Sequence, residues 1–213
     1  MVKKTFENTL LVEGINDQHV IWALCGRLEI KENFEVNACN SVEQVLDAFE
    51  VKLKSTNTSK RLGIVIDADV DLTLRWESIR NILVKTGIYD VPSELPKEGL
   101  IVFPSNEDSL VVGVWVMPDN SLNGMLEDFL AQMAPQSDKL LDKTDQILAE
   151  LELEKIQKYR SVHKAKARIH TWLAWQEDPG TPMGQAITKH YLSTENKLCC
   201  SFVNWLRELF SCP

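Results

Sequence analysis

The sequence predicts an α/β fold, a mainly parallel sheet flanked by helices and followed by a helical C-terminal subdomain. Three observations lead to that expectation. Two apolar runs, Thr9-Leu10-Leu11-Val12 and Leu62-Gly63-Ile64-Val65-Ile66, end in the acids Glu13 and Asp67, each ahead of a stretch with helical spacing. Apolar runs alternate with such stretches as far as Met133, the pattern of βαβ units. Beyond Pro135 no run of strand type recurs, so residues 1–135 are read as the α/β domain and 136–213 as helices packed on it.

The first strand stops at Glu13-Gly14, where glycine lets the backbone turn sharply, and a helix from Asp17 to Leu28 buries Val20, Ile21, Leu24 and Leu28. Phe34–Ala38 alternates as a short strand. Ser41 is an N-cap ahead of a helix through Val45, Leu46, Phe49 and Leu53, and a polar loop runs from Lys54 to Lys60. After the strand that ends at Asp67 comes a helix from Leu74 to Lys85, then a turn-rich stretch from Gly87 to Gly99. Leu100–Phe103 and Leu110–Met117 are strands joined by a connection short enough to permit antiparallel pairing. In a helix from Leu122 to Met133 the apolar face comprises Leu122, Met125, Leu126, Phe129, Leu130 and Met133, which sets Glu127 at its edge and Asp128 toward solvent. The tail reads as helices at 138–158, 161–176, 182–191 and 198–210, with Thr181 capping the third. Trp172, Trp175, Phe202, Trp205, Leu206 and Phe210 fall at helical spacing as packing residues.

Composition narrows the function classes. A chain of 213 residues that is 44% hydrophobic can bury a core, while a net charge of -8 excludes a protein that coats nucleic acid by bulk charge. A nucleic-acid partner would have to be held by metal ions or a local basic patch. No apolar stretch approaches the roughly 20 residues of a membrane span, and the amino terminus has no leader-like apolar region, so the chain is read as soluble and cytoplasmic, with no membrane partner. Five cysteines without C-x-x-C spacing read as reduced, mostly buried thiols.

Ligands of open α/β sheets collect outside the carboxyl ends of the strands, so Glu13 and Asp67 imply one acidic crevice. Asp67 and Asp69 aim two carboxylates at one point if the chain stays extended past Ile66, a donor pair that suits magnesium with its waters and substrate phosphates. Asp17, one turn after Glu13, and Asp71, next in the alternation, are either further ligands or helix-initiating, solvated acids. Asp119 at the third acidic strand end and Glu127 on the following helix are likewise ligands or exposed acids.

Strand-Glu-Gly-helix followed by strand-D-x-D-helix, here Leu11-Val12-Glu13-Gly14 with Asp17 and Ile64-Val65-Ile66-Asp67-Ala68-Asp69, resembles the Toprim domain of topoisomerases, bacterial primases and OLD-family nucleases. The resemblance spans about residues 7–133. The whole chain, including Thr171-Trp172-Leu173-Ala174-Trp175-Gln176 and Pro179-Gly180-Thr181-Pro182-Met183-Gly184, also looks like a small prokaryotic Toprim-like family of unassigned function. The resemblance implies Mg²⁺ or Mn²⁺ held by Asp67 and Asp69, Glu13 as acid or base near the reacting phosphate, and further acids for a two-metal site, for which Asp17, Asp71, Asp119 and Glu127 are the candidates. It implies phosphodiester hydrolysis of nucleic acid, DNA foremost, in defence against phage. OLD-like proteins carry an ATPase domain, and this sequence has no G-x-x-x-x-G-K-[ST] motif. The alternative is therefore an accessory module that works beside a partner ATPase or a nucleic-acid-binding subunit, in a homo-oligomer or not; a third is action on a small phosphorylated substrate.

Arg160, Lys164 and Arg168 recur at i, i+4, i+8 as one cationic ridge, either a phosphate contact or a solvated face. Lys166 falls on the inward side beside Leu173, where it either places positive charge on a reacting phosphate, as a basic residue does in OLD-like nucleases, or runs its stem along apolar surface. His163 and His170 read as edge residues, since oxygen donors suit magnesium.

Overall fold

The computed structural model describes residues 6–55 and 60–210. Its strands β1 (Asn8–Val12), β2 (Phe34–Ala38), β3 (Arg61–Asp67), β4 (Leu100–Val102) and β5 (Val111–Met117) form a sheet in the order β2-β1-β3-β5-β4. Neighbours run parallel except β4, which pairs antiparallel with β5. The central strands are continuous apolar runs because helices cover both faces of the sheet.

Those helices are α1 (Ile15–Arg27), α2 (Val42–Lys54), α3 (Leu72–Thr86), α4 (Leu126–Met133), α5 (Lys139–Leu153), α6 (Lys164–Ala174), α7 (Met183–Thr188) and α8 (Lys197–Phe210). The two-residue period of β1 sorts them. Leu10 and Val12 enter a core shared with α1, α4, α6, α7 and α8, while Leu11 faces the opposite core with α2 and α3. Trp115 of β5 meets Phe202 and Trp205 of α8 with ring centroids 5.2 and 5.7 Å away. Gly63 and Gly113, paired across β3 and β5, leave a recess that Leu209 of α8 fills. Among the described residues no helix is long and apolar enough to cross a membrane.

Several elements depart from the sequence reading. The fourth helix starts at Leu126 and not at Leu122, because Asp119 Oδ1 accepts from the N–H of Ser121 and Leu122 (3.0 and 2.8 Å) and Asn120 Oδ1 from that of Val116 (2.7 Å). Side chains that bond nearby backbone compete with the helix in this way, and Leu122 stands exposed, off the apolar face. Asp128 folds back to accept from the Met125 N–H (3.0 Å) at the start of α4 and does not point freely to solvent. Helix α5 ends at Leu153, and after a 3-10 turn at Ser161–His163 helix α6 begins only at Lys164. The Thr181 hydroxyl donates to Asp178 O and leaves Pro182 as the N-cap of α7. The aromatic packing residues are buried apart from Trp175. Cys25 and Cys199 are buried thiols, Cys39 is half-buried and Cys200 exposed. Residues 56–59 of the polar loop, and Cys212, lie outside the described residues.

Candidate functional site

Parallel pairing of β1 with β3 brings their carboxyl ends to the same edge of the sheet and sets Glu13 beside Asp67. Glu13 Oε1 accepts from the Asp67 N–H at 2.8 Å, and Asp67 Oδ1 accepts from the Leu126 N–H at 2.9 Å, the first residue of α4. The first turn of α1 adds Asp17, 7% exposed, whose Oδ2 accepts from the Gly14 N–H at 3.1 Å. The first turn of α4 adds Glu127, 5% exposed. These carboxylates line a cavity of about 290 Å³ together with Asn16, Asn40 and Lys166.

Burial is the main cause of the electrostatics here. It drives the Glu13 carboxyl up to about 7, helped by repulsion from Asp17 and Asp69 and opposed by the Asp67 N–H and Arg75. Asp17 rises to about 6 by burial, with Glu127 adding and the Gly14 N–H and Lys166 opposing. Asp67 is pushed well above the usual carboxylate range by burial and then by Glu13, Asp17 and Glu127. Glu127 also rises by burial, against the pull of Lys166 and His170. Asp67 thus feels the charge of the other three acids. They crowd where two helix amino termini, of α1 and α4, soften the repulsion.

Lys166 is the cation among the residues that line this cavity. It reaches the acids from an exposed position and is not buried against the sheet as its place on the wheel predicts. The later start of α6 explains this, since Lys166 falls in the helix's first turn, and Val162, expected on the buried face, is exposed as well.

The other predicted acids go elsewhere. Strand β3 ends at Asp67, and Asp69 adopts φ 54°, with its N–H donating to Gly124 O at 2.8 Å. The extended alternation is broken there, so the two carboxylates of the D-x-D do not aim at one point. Asp69 lines a neighbouring cavity of about 560 Å³ with Val70, Met125, Asp128 and Val162, and its Oδ2 pairs with Arg75 Nη2 at 3.0 Å. Asp71 Oδ1 accepts from the Leu74 N–H (3.0 Å) as the N-cap of α3. Asp119, held by its own loop, lines a third cavity beside Trp115 and Lys197. The expected ridge does not form a single line either. Arg160 precedes the 3-10 turn, Lys164 pairs with Glu152 at 2.6 Å, and Arg168 binds both oxygens of Asp145 at 2.6 and 2.7 Å.

Sequence reasoning missed Arg75. Its Nε donates to Asp67 O at 2.8 Å while Nη2 holds Asp69. The signal was its place four residues after the cap Asp71, which turns a first-turn side chain back toward the strand end.

Among the described residues no three His, Cys, Asp or Glu side chains form a closed metal-binding group. Magnesium needs less, because one or two carboxylates with waters and substrate phosphates suffice. An all-oxygen donor set, with acids whose charged forms are costly until a cation arrives, fits a hard divalent ion.

A family model described as "Protein of unknown function (DUF3226)" matches residues 7–211. No curated protein matches the chain. Among solved structures, the C-terminal region of the OLD protein of Xanthomonas campestris pv. campestris is similar, with a TM-score of 0.50 and 12% identity over 97% of this chain and 96% of that one. At that identity the likeness speaks for the fold.

Proposed function

The chain belongs to the DUF3226 family, and we propose that it is a Toprim-like phosphodiesterase that hydrolyses nucleic acid, DNA foremost, with Mg²⁺ or Mn²⁺. The observation that supports this reading is the convergence of Glu13, Asp17, Asp67 and Glu127 on one cavity at the carboxyl ends of β1 and β3, with Lys166 across from them. Asp67, with one neighbouring carboxylate and with waters and substrate phosphates, would hold the cation. A bound divalent ion there would offset charge on a reacting phosphate. Glu13, whose carboxyl sits near neutrality, can hold or take a proton beside that phosphate, and this is the range in which a general acid or base works best. Lys166, exposed and lining the same cavity, can put a positive charge on the phosphoryl oxygens. Asp69 joins this set only if its ion pair with Arg75 opens. From the resemblance of Leu11-Val12-Glu13-Gly14 and Asp67-Ala68-Asp69 to the motifs of OLD-family nucleases, we infer a role in defence against phage.

The test is incubation of the purified chain with plasmid, single-stranded DNA and RNA in Mn²⁺. Cleavage should fall by on the order of a hundredfold or more in Glu13→Gln and in Asp67→Asn. Cleavage retained in both variants overturns the assignment.

A second reading has a specific observation in its favour. Lys164 and Arg168, two of the three cations of the expected ridge, are engaged by Glu152 and Asp145, and the chain carries a net charge of -8, which disfavours a polymer held by this chain alone. In that reading the chain is an accessory module and a partner ATPase or nucleic-acid-binding subunit delivers the substrate. Mn²⁺ binding without cleavage by the chain alone, and cleavage on adding such a partner, would favour it.

A further inference from the structure

We propose that Arg75 is a positioning residue that latches Asp69 outside the acidic cavity and yields it when a divalent cation binds. The inference rests on the metal-site reading above. Arg75 is 16% exposed in its side chain and forks across the end of β3, with Nε on the Asp67 carbonyl at 2.8 Å and Nη2 on the Asp69 carboxylate at 3.0 Å. A guanidinium suits this task because its donors are fixed in one plane, whereas a lysine presents a single point charge.

The backbone around Asp69 is pinned independently of that fork. The Asp69 N–H donates to Gly124 O, and Asn123 accepts from the Leu72 N–H at 2.9 Å and donates to Val70 O at 2.7 Å. Release of Asp69 begins at the Arg75 fork, and the left-handed turn at Asp69 has to relax for its carboxylate to reach the acidic cavity. The carboxylate has room to turn, being 42% exposed. Closed, the latch keeps a further negative charge out of a crowded site; open, it adds an oxygen donor.

Mn²⁺ affinity, measured by isothermal titration calorimetry on the full chain, reads the latch without recourse to cleavage. Arg75→Gln should tighten binding roughly two- to fivefold, the size expected from removing one partly exposed ion pair. Arg75→Lys, which keeps the charge and loses the fork, should show part of the same gain. In an Asp69→Asn background the gain should vanish, because nothing is left to release. Unchanged or weaker binding in both Arg75 variants overturns the latch, as does an equal gain with and without the Asp69 carboxylate, which would mark long-range charge alone. Should Arg75→Gln fail to fold, Arg75→Lys with and without Asp69→Asn separates the same outcomes. Absence of Mn²⁺ binding by the unaltered chain would overturn the metal site itself, an outcome separate from failure of the latch.

Discussion

Glu13 sits where its charged form is costly, and that cost can be measured. Its carboxyl titrates near 7 in the folded chain against 4.5 ordinarily, so between those values the folded state holds a proton that the unfolded state has lost. The stability so gained is fully present below 4.5 and is lost as pH rises through 7, with Asp17 adding the same trend up to about 6. For Glu13 the effect is at most on the order of 3 kcal/mol. We expect the cation-free protein to melt several degrees lower at pH 8 than at pH 5.5. Glu13→Gln should raise the melting temperature at pH 8 and flatten the pH dependence, as followed by circular dichroism. Millimolar Mn²⁺ should raise it for the native chain and much less for Asp67→Asn. A pH-independent melting temperature would mean that these acids do not share a buried field.

At the scale of elements, the glycine recess of the sheet controls how α8 docks. A methyl group at Gly113 would collide with Leu209, and one at Gly63 would come within 2.5 Å of Leu10 and 3.0 Å of Leu209. Gly113→Ala should therefore destabilise the fold by about 1–3 kcal/mol, the usual cost of overpacking, seen as a lower urea midpoint with an unchanged slope. The strands were legible in the sequence because the central ones are nearly unbroken apolar runs and β2 alternates, and β2, β3 and β5 lie within a residue of their expected ends. So were Glu13, Asp17, Asp67 and Glu127, since strand ends and first helical turns fix where such side chains point. The misreadings occurred where side chains bond their own backbone. Asp119 and Asn120 delay α4, and Asp69 turns left-handed, a conformation that aspartate tolerates and that apolar periodicity does not register, whereas Asp71 takes the helix-initiating one of its two expected roles. Arg75 was not apparent because its partners, a backbone carbonyl and a carboxylate across a turn, exist only once that turn has formed.

For the whole molecule the deciding quantity is charge. A chain at -8 whose acids crowd one cavity repels polyanions. In EDTA at about 150 mM salt we expect no measurable binding to a labelled DNA oligonucleotide by fluorescence anisotropy; Mn²⁺ should bring binding into the micromolar range. Equal binding with and without the cation would locate the DNA contact away from the acids. Breaking the Arg168–Asp145 pair by Asp145→Ala should free a guanidinium and strengthen whatever binding occurs, with a steeper dependence on salt.

The bond from the Leu126 N–H to Asp67 Oδ1 makes the start of α4 a sensor of what happens at the strand end. An ion that claims that oxygen leaves this amide to find water, and its proton resonance should move upfield while its exchange with solvent quickens. One backbone peak in a heteronuclear NMR spectrum would thus report occupancy of the site directly, with no substrate present and no knowledge of what the substrate is.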